Sequence, residues 1–592
     1  MARLIRGLNG LGGLLGIGAC ALLLTACDSG PGAGGDIVTS FPRNKTLYVG
    51  GFQWGAPVSF NPLHVTPAWP ATGNMNLIYE SMFGYNQITG QLEGILGTEY
   101  RFEDDKLHVT LHEKSAWQDG SPLTSEDVLY TFELHKKYNT LFHAHWNYID
   151  TIVAAGPKEV VFTLSKVNYN RLMMLDIISV TFILPKKIFR PIEQNASDAG
   201  SEAEVLSQIR EFKNDSIPLG SGPYTLHAYS NQKIILERVD SYWGAVKYGG
   251  RLPAPQYLIH MAYTGNDKFN LALQQGNLDL SQTFCPQIWN KFSKGVGTWY
   301  EKEPYYIPAM IPALLMGLTK APFDDVAFRR ACAHAIDYEK IKTLAVYGYT
   351  PDLKPGFILP FGTEKEYFSE QDAAEFGPTY DPAQARQILQ DAGYSWGADS
   401  LLIAPDGAKV GSLTATCPAG WTDWETTVKI AVTGLRAVGV DVREKFVEYP
   451  VWDKNLKNGL FDFTMRTPHP EASPSCPWMR FEKVMSSKEW APPGQVMYEN
   501  EGRYKNPRAD ALLRDLPQLT DENKISRAYR ELNAIFMKDI PVIALMYRPW
   551  HFYQFSTRHW TNFPSEKNPY APPQCLMVGA GVKALWEIAP AK

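Results

Sequence analysis

The stretch LHVTLHEKSAWQDGSPLTSEDVLYTFE, residues 107–133, carries both kinds of regular structure in one short span. From Lys106 to Leu111 apolar and polar side chains alternate, the period of a strand with one buried face. Thr124-Ser125-Glu126-Asp127 then sets a hydroxyl three residues ahead of an acid, the spacing of a capping box. Val128, Leu129, Phe132 and Leu134 continue one side of the helix that this box opens. The same two patterns recur outward along the chain. Residues 46–49 alternate as a strand does, and residues 541–547 read as a buried strand. Pro382 follows Asp381 at a first-turn position, with Ala385, Ile388, Leu389 and Ala392 at helical spacing and Gly393 as the stop. Residues 521–539 form a further long helical stretch. Strands and helices interleave without an internal repeat, so the chain is of mixed α/β class.

The N-terminus has a different character. Arg3 and Arg6 precede an apolar run from Leu8 to Leu24, and then comes Leu24-Thr25-Ala26-Cys27. Small residues directly before a cysteine suit signal-peptide cleavage, with diacylglycerol attached to the thiol of Cys27 as a thioether. An ordinary secretory signal and an uncleaved anchor are the competing readings, since the run approaches the ~20 apolar residues of a spanning helix. Its glycines weigh against the anchor. The expectation is therefore a signal peptide over residues 1–26 and a lipidated Gly-, Ser- and Pro-rich tether over 27–45. Gly30-Pro31-Gly32-Ala33-Gly34-Gly35 satisfies GxGxxG, but without a preceding strand or a following helix the phosphate-cradling reading fails. Asp28 after the acylated cysteine tilts the location toward the inner membrane, or toward the outer face of the cytoplasmic membrane where there is no outer membrane.

Composition narrows the function. The chain has 592 residues, 45% hydrophobic and 20% charged, enough to bury several cores. Losing the signal removes two arginines and no acids, which lowers the formal charge from −5 by two, to −7. A mildly acidic body argues against nucleic acid as a partner. Of the seven cysteines, Cys285, Cys332, Cys417, Cys476 and Cys575 remain once Cys20 leaves and Cys27 is acylated. An odd, scattered set makes no disulfide framework; one bridge between Cys417 and Cys476 stands against buried free thiols.

Residues 107–133 resemble the signature of the family 5 extracellular solute-binding proteins, which include bacterial dipeptide- and oligopeptide-binding proteins. Further segments resemble that family in the same order: Leu219-Gly220-Ser221-Gly222-Pro223-Tyr224, Asp240-Ser241-Tyr242-Trp243-Gly244 and Leu273-Gln274-Gln275-Gly276-Asn277-Leu278-Asp279. After them come Lys320-Ala321-Pro322-Phe323-Asp324-Asp325 with Arg329-Arg330-Ala331 and Ala335-Ile336-Asp337, then Tyr380-Asp381-Pro382-Ala383 through Ala392-Gly393-Tyr394. The resemblance implies a two-lobed periplasmic-binding-protein fold (type II, cluster C) with an additional subdomain in the first lobe. The first lobe would cover 46–316, with the subdomain inserted near 80–220, the second lobe 317–547, and residues 548–592 would return to the first. It also implies an ABC-importer receptor that traps an oligomeric ligand, hands it to permease subunits, and works as a monomer without cofactor or metal. The shared motifs themselves read as structural turns.

The ligand is a separate question, because fold does not settle it. In oligopeptide receptors that the chain resembles, an acidic segment of the form Asp-Tyr-Pro-Asp-Pro pairs with the peptide's amino terminus. Here the matching stretch is Thr464-Met465-Arg466-Thr467-Pro468-His469-Pro470-Glu471. The aspartate pair is missing, Glu471 is the one acid that could replace it, and Arg466 and His469 disfavour an ammonium group. Aromatic residues are offered instead: Trp54, Trp421 and Trp424 about Asp423, and Trp478 after Cys476-Pro477. Flat apolar faces beside polar groups suit sugar rings. Trp54-Gly55-Ala56-Pro57 with Phe60-Asn61-Pro62, and Gly502-Arg503-Tyr504-Lys505-Asn506-Pro507, resemble a branch of the family that includes cello-oligosaccharide receptors. Trp54, Trp421, Trp424, Arg466, His469 and Trp478 are thus the candidate ligand contacts, and oligopeptide and β-linked oligosaccharide both stay open. Packed core is the competing reading for each tryptophan. An exported hydrolase is the rival class, yet GxSxG, HExxH and GxxxxGK[ST] are absent and the histidines show no ligand spacing. The adjacent acids Asp104-Asp105 and Asp324-Asp325 read as loops or caps. A chaperone-like or signalling receptor would use the same cleft.

Overall fold

A computed structural model describes residues 41–592, apart from 54, 73–74, 139, 198–199, 264, 469–471 and 574–578. The signal peptide, Cys27 and the glycine-rich tether up to residue 40 lie outside the described residues. No helix among those described is long and apolar enough to cross a membrane.

The opening stretch folds as read. Lys106–Leu111 is a strand whose Leu107, Val109 and Leu111 are buried while the residues between them are not. Ser125–Lys137 is a helix, and the Asp127 carboxylate accepts from the Thr124 amide at 3.0 Å to complete the capping box. The strand belongs to a four-stranded antiparallel sheet in the order Gly97–Glu103, Lys106–Leu111, Glu159–Leu164, Ile149–Gly156. Its apolar face joins Val128 and Phe132 of the helix in a core of its own.

Two larger sheets build the lobes. One has seven strands, and its centre is Thr46–Gln53, parallel to Tyr257–Ala262 on one side and to Leu280–Ser281 on the other. Gln554–Ser556, near the end of the chain, pairs antiparallel with Leu280–Ser281 in that same sheet. The other has five strands, with Leu413–Pro418 parallel to both Val442–Val447 and Phe463–Arg466, and Ala313–Met316 antiparallel to Phe463–Arg466 and Val542–Ala544. Between the two sheets the chain crosses twice, and the crossings pair as a short antiparallel ribbon, Pro308–Met310 with Arg548–Pro549. This is a two-lobed fold of mixed α/β class.

The other local expectations hold with one shortening. Asp381 caps the helix Pro382–Asp391 by accepting from the Gln384 amide, and Gly393 follows at φ +87°. Asp521 caps Glu522–Asp539 in the same way. The strand expected over 541–547 is only Val542–Ala544, because the backbone beyond it finds other partners: Leu545 N–H donates to the Pro312 carbonyl and Tyr547 N–H to Thr350 Oγ1. The paired acids are structural, Asp325 capping Val326–Ala335 and Asp104 turning the hairpin at φ +51°. No disulfide joins Cys417 to Cys476.

Candidate ligand-binding cavity

A cavity of about 340 Å³ lies where three parts of the fold meet. The hairpin of Phe83–Asn86 with Gln91–Gly94 brings Tyr85 and Gln87; the approach to the crossing ribbon brings Trp299, Tyr300 and Pro308; the second lobe brings Phe361, Glu364, Ser473 and Arg480. Four of these contribute flat aromatic faces.

Its charges cancel within the wall. Arg480 extends from the helix Trp478–Met485 and binds Glu364 through two nitrogens, each at 2.7 Å, with both side chains almost wholly buried. The Leu359 amide donates to the same carboxylate at 2.9 Å, and Arg480 also donates to the Phe357 carbonyl at 3.0 Å. Burial opposes the guanidinium charge, but the Glu364 carboxylate outweighs it and the Arg480 pKa is raised. Among the described residues two buried polar atoms of these side chains find no protein partner, Arg480 Nε, a donor, and Gln87 Oε1, an acceptor; both are closed off from the cavity surface and belong to the interior of its wall. The Cys476 thiol in the same wall is pushed up to about 12 by burial, which keeps it mostly protonated and slow to react at neutral pH.

Topology accounts for a second feature, an aromatic cluster on the five-stranded sheet. Because Leu413–Pro418 and Val442–Val447 run parallel, the helices that follow them start at the same edge. Gly420, at φ +82°, turns the chain into Thr422–Ala437, and Tyr449–Lys457 begins beside it. Trp421 therefore meets Trp424 edge to face at 4.7 Å and lies over Tyr449 at 6.0 Å, while Tyr449 and Trp452 are 5.5 Å apart. Trp421 and Tyr449 are 40% and 50% exposed and form an open shelf, backed by buried Trp424 and Trp452. The Trp452 indole donates to Thr464 Oγ1 at 3.0 Å; that of Trp424 is buried with no partner among the described residues. Asp423 ties the cluster to the crossing ribbon through Arg548 at 3.1 Å.

Arg466 ends the parallel strand Phe463–Arg466 at that same edge and pairs with Glu501, and burial lowers its pKa to about 10. Trp421, Trp424 and Arg466 are thus brought to one edge of the sheet. Trp478 is not among them: it is buried in the core of the second lobe, its indole donating to the Leu513 carbonyl at 2.8 Å, and it does not line the cavity. Trp54 and His469 lie outside the described residues. Glu364, Arg480, Trp299 and Gln87 escaped sequence reading. Arg480 left a trace, a charged residue between Met479 and Phe481 on an otherwise apolar helix face.

Comparison with known proteins agrees with this geometry. The family described as Bacterial extracellular solute-binding proteins, family 5 Middle, matches residues 91–479. The Probable peptide-binding protein YejA of Agrobacterium fabrum is 22% identical over 552 residues, covering 86% of this chain and 85% of its own. The Periplasmic oligopeptide-binding protein OppA of Escherichia coli is 22% identical over 464 residues, covering 74% and 77%. The crystal structure of a periplasmic oligopeptide-binding protein of an ABC transporter from Thermotoga maritima superimposes with a TM-score of 0.84 at 30% identity, over 93% of this chain and all of that one. A second structure of it, with mannohexaose bound, gives 0.80, also at 30% identity, over 93% and 99%. The chain belongs to the bacterial extracellular solute-binding proteins of family 5.

Proposed function

We propose that this chain is the lipid-anchored receptor of an ABC importer, capturing an oligomeric solute between its lobes and delivering it to a membrane permease without chemical change. Cys27 is the attachment point, and the lobes are 46–316 and 317–547, with 548–592 returning to the first. The observation that carries the capture reading is the cavity at the meeting of the two lobes and the inserted hairpin, walled by four aromatic side chains. A solute that touches all three walls is held best when they are together, so binding favours closure about the paired crossings.

Uncharged oligosaccharide fits this wall best. The Glu364 and Arg480 charges are already spent on each other, and the rest of the wall offers aromatic faces, with hydroxyls on Tyr85, Tyr300 and Thr363. A sugar hydroxyl both donates and accepts, and the C–H face of a pyranose stacks on a ring. Oligopeptide is the second reading, favoured by the names of the relatives. Tryptophan fluorescence and thermal shift against β-linked oligosaccharides, mannohexaose and mixed peptides separate the two. A saturable response to sugars alone supports the first reading; a response to peptides alone replaces it with the second, and silence toward both removes the capture reading.

A further inference from the structure

The helix Arg171–Val180 of the four-stranded unit serves two cores at once. Met174, Ile177 and Ile178 face the unit's own core. Met173 and Asp176, one turn apart on another face, point into the second lobe. Met173 belongs to the hydrophobic core built on the five-stranded sheet. The buried Asp176 carboxylate accepts from the Ser475 amide at 3.2 Å, from Ser473 Oγ at 3.3 Å, and from Ser475 Oγ. Two weaker contacts join the same bodies. Lys488 Nζ donates to Asn168 Oδ1 at 2.6 Å, and Gly90, at φ +73°, turns the hairpin so close to Thr363 that a Cβ there would strike its methyl group.

The segment that Asp176 grips is also a wall of the cavity, since Ser473 and Cys476 line it. A buried carboxylate is costly unless it is hydrogen-bonded, and three of the bonds to this one come from across the boundary. When the bodies part, water can take their place, so the contact is strong yet reversible.

We propose that Asp176 is a positioning residue for ligand capture: it docks the inserted four-stranded unit onto residues 473–476 and so sets the balance between open and closed forms before any solute arrives. The second lobe then closes against the inserted unit as well as against the first lobe. The inference rests on the two-lobed fold and on the cavity as the capture site, but not on which solute enters.

The half-buried Cys476 thiol reports this docking without a ligand, because Cys285, Cys332 and Cys417 are buried in cores. The full chain and its Asp176→Ala, Ser475→Ala and Lys488→Ala variants would be exposed to N-ethylmaleimide, and the alkylation rate read at each cysteine by peptide mass spectrometry. Losing a charge-assisted contact should speed Cys476 alkylation by about tenfold in Asp176→Ala, less in Ser475→Ala and least in Lys488→Ala, with the three buried thiols as slow as in the parent. Unchanged Cys476 in Asp176→Ala and Ser475→Ala overturns the proposal. So does acceleration of all four thiols together, which would make Asp176 a support of the fold at large. Because no solute is added, failure here is distinct from failure of the capture reading, which the sugar and peptide panel decides.

Discussion

Arg480 and Glu364 meet through two parallel hydrogen bonds of 2.7 Å with neither side chain open to water, although 116 residues separate them in the chain. Removing one partner strands the other charge in the interior. Arg480→Met or Glu364→Gln alone should destabilise the protein by about 3–5 kcal/mol, and the two together should recover much of that loss. Urea unfolding of the two single variants and the double variant measures this; additive losses would mean that the pair is not a closed unit.

The aromatic shelf separates binding from stability. Trp421 is 40% exposed and does not line the cavity, so Trp421→Ala should leave the unfolding midpoint nearly unchanged, and an about tenfold loss of oligosaccharide binding in it would extend the bound solute from the cavity onto the shelf. Trp452 is buried and hydrogen-bonded to Thr464, and Trp452→Ala should cost about 3–5 kcal/mol of stability. Titration calorimetry with the responding sugar, beside thermal melts, tests both.

Glu80 gives the stability a pH dependence of known sign. Burial raises its pKa to about 7, partly offset by hydrogen bonds led by that from Tyr242 and by the charge of Lys247. A carboxyl whose folded pKa lies above its unfolded value binds its proton more tightly in the folded state. Its contribution is therefore complete below about 4.5 and is lost as the pH rises through about 7. Glu80→Gln keeps an acceptor for Tyr242 and should flatten the decline across that window. Urea midpoints at pH 5, 6 and 7.5 for parent and variant give the difference; parallel curves would refute the assignment.

Thiol chemistry gives a further check. The Cys417 thiol, like that of Cys476, is pushed up to about 12 by burial. Neither should be found bridged to the other in protein recovered from an oxidising envelope, and after denaturation without reductant each should take up one equivalent of alkylating reagent. A peptide joining the two would contradict the structure.

Membrane attachment has its own test. Cys27→Ser should move the protein from the membrane pellet to the soluble fraction on cell fractionation, and the parent N-terminal peptide should carry the mass of an acylated cysteine. Retention of the serine variant in the pellet would point to an uncleaved apolar anchor.

What the sequence disclosed follows from range. Caps at Thr124 and Asp381 were readable because each hydrogen bond spans three residues, and the alternation of Lys106–Leu111 is a property of the strand itself. Trp421 and Trp424 stood out, but their partners Tyr449 and Trp452 join them only through parallel pairing of strands almost thirty residues apart. Trp478 shows the opposite case. Its place after Cys476-Pro477 made it a candidate ligand contact, yet it begins a helix whose apolar face fills a core, as the competing reading had it. The cavity was the least legible part, because Glu364, Arg480, Trp299 and Gln87 converge from four distant segments and no local spacing announces them.

The ribbon between the lobes has a mechanical corollary. Pro308 stands directly opposite Pro549, and neither residue has an amide hydrogen to give. That rung supplies no donor from either strand, so the ribbon is held there by its flanking residues. The two halves are joined by a leaf spring with a thinned centre, where one position adds no ladder bond of its own to resist bending.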